Sequence, residues 1–134
     1  MGRTVSKLEG AINGLIEKGI SAEAFPGDAS DRESVRKLAE YATSKGTVDV
    51  LIHAAGVSPA QASYEKVIEI NAIGTINVDQ EMLKVMPNGS TILNVSSCSG
   101  YMLPDSMLPK DKYPLSLEET PDSFRKAILD VLAQ

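Results

Sequence analysis

Apolar and polar positions alternate along this chain with two different periods. Leu8, Ala11, Ile12, Leu15 and Ile16 recur at helical spacing, with Glu9, Asn13, Glu17 and Lys18 opposite them. Gly19 follows as the expected stop. Ala22 to Phe25 is short and apolar apart from Glu23, and Pro26-Gly27 punctuates it, which predicts a strand. Ser30 or Asp31 stands where a cap belongs, ahead of a helix that would bury Val35, Leu38, Ala39 and Ala42 and end near Gly46. Val48 to Ala54 is an almost continuous apolar run closed by Gly56, the pattern of a strand covered on both faces. From Ser63 to Met86 apolar residues occupy more than one side of a long helical stretch, which therefore expects cover on two sides. Pro87-Asn88-Gly89 breaks it, and Thr91 to Val95 predicts a third strand. Thr120-Pro121, a capping residue followed by proline, opens a last helix toward Leu132.

Strands alternating with helices of this length imply βαβ units, right-handed crossovers and a parallel sheet. The fold class is α/β, a partial Rossmann-like sheet flanked by helices. Ligands of such sheets bind beyond the carboxyl ends of the strands. Attention thus falls on Gly27-Asp28-Ala29, on His53-Ala54-Ala55-Gly56 and on Ser96-Ser97-Cys98.

Composition narrows the function. The 134 residues fit one domain, and 43% hydrophobic with 23% charged residues is a globular balance. A net charge of -5 without any Lys/Arg run argues against a nucleic-acid partner. No apolar stretch approaches the ~20 residues that cross a bilayer. One cysteine, Cys98, and no signal-peptide pattern lead to the expectation of a reducing, cytoplasmic setting. Cys98 has no basic neighbour in sequence and reads as a small packed thiol; His53, the sole histidine, reads as a satisfied core residue. No metal site is read from the sequence.

The three strand ends, taken with the helix bearing Asn71, resemble the short-chain dehydrogenase/reductase family. LIHAAG at 51–56 is similar to the family's NNAG element, with His53 and Ala54 in place of the asparagines. EINAIGT at 69–75 is similar to the element presenting the active-site Asn, here Asn71, and ILNVSSCSG at 92–100 to the strand whose second serine is catalytic, here Ser97. Asp28 stands where the family hydrogen-bonds the adenine amino group. The short gap from Gly56 to Asn71 and the long segment after Ser97 resemble bacterial hydroxysteroid dehydrogenases with an insertion before the catalytic Tyr.

This resemblance implies an enzyme that interconverts an alcohol and a carbonyl of a small molecule. Ser97 would stabilise the carbonyl oxygen, and Asn71 would hold its helix open and anchor a water of the proton relay. Asp28, Ala29, Ala54, Ala55 and Gly56 would face the dinucleotide. Arg3, just past the family's second strand, would contact the 2′-phosphate of NADP, with NAD as the alternative cofactor. Plainer readings stand beside these: Ser97 caps a turn, Asn71 is a polar helix flank, Asp28 belongs to a strand-to-helix turn and Arg3 is a solvated helix start. The helix at 63–86 reads as core or, as in the family, as a homo-oligomer interface.

The match covers the middle of the family's domain, so residues 1–134 read as one partial domain. The chain has no TGxxxGxG turn, and no YxxxK follows Ser97: Tyr101 is followed by Asp105 and Tyr113 by Leu117. The expectation is a fragment inactive alone; a non-catalytic nucleotide- or protein-binding half-fold is the rival. In the family's 3-2-1-4-5 strand order two strands separate segment 22–25 from 48–54. The chain must leave a gap there or pair the two directly.

Overall fold

The computed structural model describes residues 1–102, 122–123 and 125–126. Helix α1 spans Val5–Ile16 and α2 Arg32–Lys45; strand β1 is Val50–His53; α3 (Tyr64–Val67) runs through a π-helical turn, Ile68–Ile73, into α4 (Gly74–Leu83); strand β2 is Thr91–Asn94. A 3-10 turn, Cys98–Tyr101, follows. Asp122, Ser123, Arg125 and Lys126 are helical, and the remainder of the expected last helix lies outside the described residues.

Local chemistry accounts for the boundaries. Asp31 caps α2, its carboxylate accepting the Glu33 N–H at 3.1 Å. Asp31→Ala is expected to destabilise the protein by about 1 kcal/mol, the usual worth of such a cap, read as a lowered urea midpoint. After α1, Gly19 adopts φ 75° and its N–H donates to Ile16 O at 2.9 Å, while Ile20 N–H returns to Leu15 O at 3.0 Å. Only glycine takes this left-handed position without strain.

β1 and β2 pair in parallel, Val50 opposite Thr91 and His53 opposite Asn94. On one side of this sheet α2 and α4 pack together around Val35, Ala39, Val78 and Met82, with Ala29 from the preceding loop and Leu51 leaning in. Val35 is 0% exposed and forms the centre of the core. The expectation of a β1 buried on both faces is corrected. Leu51 and His53 face the helices, but Val50 and Ile52 alternate onto the other face and are 59% and 63% exposed. Leu93 on β2 is open as well. Nothing among the described residues covers that face, and α1 buries none of its own residues.

Segment 22–25 is not a strand, a second correction. Its ladder is one parallel bridge, Gly2 to Pro26, made by Gly2 N–H to Phe25 O (3.3 Å) and Gly27 N–H to Gly2 O (3.0 Å). A single glycine presents too little edge to build a ladder, and Pro26 has no N–H to give. Side chains hold the segment instead: Phe25 rests on the Tyr41 ring with centroids 5.3 Å apart, and Glu23 pairs with Lys45 at 2.9 Å. Of the two outcomes for the sheet, the gap is found. A cavity of about 420 Å³ separates Met1 from Leu51, Ile52 and His53, and among the described residues the outer edge of β1 has no strand beside it.

The long helix expected at 63–86 is helical from 64 to 83 but switches register at the π turn. Cover is one-sided at its end: Asn77, Val78, Glu81 and Met82 are buried against α2, whereas Leu83 is 59% exposed. Arg125 reaches back to the π turn, with its Nε 2.5 Å from Glu69 Oε1.

Candidate functional site

The carboxyl ends of β1 and β2 and the π turn meet around a cavity of about 680 Å³ lined by Ala54, Ala55, Gly56, Asn71, Ser96 and Ser97. Five of the eight residues singled out in the sequence (Ala54, Ala55, Gly56, Asn71 and Ser97) are thereby brought together. The π turn widens the helix by one residue, and such turns recur at functional sites. Asn71 sits within it and reaches across to the loop after β1. Its Oδ1 accepts the Val57 N–H at 2.8 Å and its Nδ2 donates to Val57 O at 2.9 Å. A Cβ on Gly56 would stand 3.3 Å from Asn71 Oδ1, so the loop can approach this closely because residue 56 is glycine. The amide thus grips backbone and retains one N–H and one lone pair for a further partner.

Ser97 lies at the end of β2 with its side chain exposed. Its Oγ accepts the Ser99 N–H at 3.1 Å and donates to Ser99 Oγ at 3.0 Å. The turn-capping role is realised, and the hydroxyl can turn its proton from Ser99 toward a ligand by rotation alone. Cys98 beside it is exposed, which corrects the packed thiol.

The other expected nucleotide contacts lie on the far side of Ala54-Ala55. Asp28 Oδ1 accepts the Ser30 N–H (2.9 Å) and Oγ–H (2.7 Å), and the Asp28 N–H donates to Ser34 Oγ at 3.0 Å. Partial burial pushes the Asp28 carboxyl up, but the two Ser30 bonds, with Arg3 and Lys66, outweigh it and hold it below its ordinary range. Arg3 lies 3.8 Å from Asp28 across a largely exposed gap, so these two residues contact each other. Ala29 is buried and, with Ala54 and Ala55, lines the smaller cavity beside β1.

Asn77 was not singled out in the sequence, yet it holds this loop. It is 1% exposed, and its Nδ2 donates to Ala29 O and Ser30 O, each at 3.2 Å. An asparagine inside an apolar helix stripe is the signal that could have flagged it, since a buried amide requires partners. His53 is buried as expected but not satisfied: among the described residues its Nε2 lacks a partner.

A tyrosine and a lysine four apart also occur earlier, as Tyr41 and Lys45 in α2. The Tyr41 hydroxyl is bonded to Glu23, which raises its pKa, and Lys45 Nζ stands 5.2 Å from the ring centroid. This pair occupies the end of α2 that leads into β1. The four residues of β1, about 13 Å of strand, lie between that end and the Ala54-Gly56 loop. Tyr41 is therefore no base for Ser97. Among the described residues no three His, Cys, Asp or Glu side chains gather to hold a metal, and no helix is long and apolar enough to cross a membrane.

The sequence model of the family described as short chain dehydrogenase matches residues 1–108. Human carbonyl reductase [NADPH] 1 is 28% identical over 103 residues, 71% of this chain and 37% of that protein. A short-chain dehydrogenase/reductase mutant from Serratia marcescens superposes with a TM-score of 0.67 at 15% identity, covering 99% of this chain and 52% of that one. A short chain dehydrogenase of Burkholderia cenocepacia J2315, solved in complex with NADP, gives 0.64 at 21% identity over 78% of this chain and 46% of that one. The chain thus spans less than two fifths of the curated relatives it matches and about half of these solved ones.

Proposed function

From the premise that this chain belongs to the short-chain dehydrogenase family, we propose that it is the middle portion of an oxidoreductase that interconverts an alcohol and a carbonyl with NADP(H), NAD(H) being the alternative. The observation that carries the reading is the meeting of Ser97 and Asn71 in one cavity at the carboxyl ends of two parallel strands. That is where such sheets take their ligands.

The residues present fit part of a dinucleotide. The Ala54-Ala55-Gly56 backbone is bare of side chains larger than a methyl and separates the two cavities, so an extended ligand can lie across it. Asp28 would accept from the adenine amino group with its carboxylate kept charged, and Arg3, once turned from Asp28, would meet a 2′-phosphate. When bound, the cofactor supplies or takes the hydride. Ser97 Oγ–H would donate to the substrate oxygen, and Asn71, through its remaining donor and acceptor, would hold a water on the proton path. Neither tyrosine after Ser97, Tyr101 or Tyr113, has a lysine four positions on, so the base that exchanges the hydroxyl proton is left unassigned. Small carbonyls or alcohols are the substrate class, with hydroxysteroids the first to assay. We further place the chain in the cytoplasm and its α3–α4 helix in a homo-oligomer interface.

The test is titration calorimetry with NADPH and absorbance assays over a panel of ketones and steroids, using the 134-residue chain. Weak or absent binding and no turnover are expected, because no glycine-rich cradle for the pyrophosphate is encoded. A low micromolar dissociation constant would overturn the fragment reading. In a protein extended to include such a cradle, Arg3→Asp is expected to move preference from NADPH toward NADH. An unchanged ratio of the two kcat/KM values would remove Arg3 from the site.

A further inference from the structure

Behind the lip of the site cavity lies a polar cluster that the proposed reaction leaves without a role. His53 ends β1, Asn94 ends β2, and the parallel register sets them side by side. Asn94 Nδ2 donates to Asp79 Oδ2 at 2.8 Å, which ties α4 to the end of β2. The other carboxylate oxygen, Asp79 Oδ1, is buried without a partner among the described residues, and so is His53 Nε2. His53 is 7% exposed, so the ring is largely out of reach of bulk solvent.

Asp79 as a whole is half-buried, but leaving these two buried atoms unpaired is costly, and the cost is steeper for the carboxylate. The two orphans are complementary, since a neutral imidazole with its proton on Nε2 donates and a carboxylate oxygen accepts. They are also close enough for the Asp79 charge to act on the imidazole. Glu81, the acidic residue buried on α4, is already paired with Arg32 at 2.6 Å and Lys84 at 2.7 Å.

We propose that His53 is a positioning residue, sharing its Nε2–H with Asp79 Oδ1 through one buried water. The His53–Asp79–Asn94 couple then locks together the strand ends that deliver Ala54–Gly56 and Ser96–Ser97. That those loops form an active site rests on the oxidoreductase reading; the couple itself does not. It is sensitive to acid. Burial disfavours the imidazolium more than Asp79 favours it, so His53 titrates below its ordinary value of 6.5. A depressed folded value means that the unfolded chain takes up the proton first. This contribution to stability is thus present above pH 6.5 and is lost as pH falls through the folded value.

The chain has one histidine, so nitrogen-15 NMR of histidine-labelled protein reads this imidazole alone. At pH 7 the expected spectrum is a neutral ring protonated on Nε2. The Val95 amide, which donates to His53 O at 2.8 Å, reports the strand ends. His53→Leu is expected to speed its hydrogen exchange by roughly tenfold or more, as for the loss of a buried hydrogen bond, and to shift the Ser97 amide. His53→Gln keeps an N–H donor and is expected to restore both. A ring protonated on Nδ1, or Val95 and Ser97 amides indifferent to His53→Leu, would overturn the proposal. If His53→Leu fails to fold, the wild-type tautomer alone decides. No nucleotide enters these measurements, so failed cofactor binding leaves the couple standing, and an absent couple leaves the oxidoreductase reading standing.

Discussion

Joined to a TGxxxGxG unit ahead of Met1 and a YxxxK segment beyond Gln134, the chain is expected to turn over carbonyl substrates with NADPH, and Ser97→Ala to lower kcat by ~10²-fold or more. The size of the loss follows from where the charge develops. On reduction the carbonyl oxygen passes toward an alkoxide, so a hydroxyl aimed at it gains strength in the transition state relative to the ground state. Ser97 is suited to that because its proton is held only by Ser99 Oγ, a neutral and exposed partner at 3.0 Å. Releasing it costs a weak bond. KM should change little, since the contact with a ground-state carbonyl is modest. Asn71→Ala should also lower kcat, but with structural damage added, because its side chain holds the Val57 backbone at both ends. Steady-state nicotinamide absorbance measures both variants. Turnover near wild type in Ser97→Ala would remove Ser97 from the chemistry and leave the fold and the family untouched.

The sequence disclosed those parts of the molecule whose determinants are local. α1 and α2 followed from spacing and caps, and the π turn fell within the stretch already read as helical. The strand ends carrying Ala54–Gly56 and Ser97 followed from apolar runs closed by small residues, and the cavity lies between them. Errors arose where a residue's state depends on neighbours from elsewhere in the chain. Ala22–Phe25 has a strand's composition, but a strand needs an edge, and Gly2 supplies one residue of it. The apolar run of β1 suits two covered faces, yet among the described residues helices cover one, so Val50 and Ile52 remain open. Asn77 and the Asp79–Asn94 bond escaped notice because both link residues far apart in the chain: Asn77 acts 48 positions from Ala29, and Asp79 15 from Asn94. Arg3 and Asp28 were each read toward a nucleotide, and no pattern in the chain signalled that they would face each other.

How firmly the helix bearing Asn71 is held can be measured at Ile73. Its side chain, 1% exposed, closes the π turn that carries Asn71. Ile73→Ala removes three carbons from a packed position and is expected to destabilise the protein by about 2–5 kcal/mol, the transfer loss plus the cavity left behind. A domain of this size has roughly 5–15 kcal/mol in hand, and this one leaves Val50, Ile52, Leu93 and much of α1 open to solvent, which places it toward the lower end. The substitution should therefore abolish the cooperative urea transition or move its midpoint to low denaturant. Leu83→Ala, at a position 59% exposed on the same helix, is the matched control and should stay within about 0.5 kcal/mol of the parent. The contrast separates burial from helix propensity, because both variants end in alanine, the best helix former. Equal small effects at both positions would show that the turn is not packed as described. Asn71 would then owe its place to the Val57 hydrogen bonds alone.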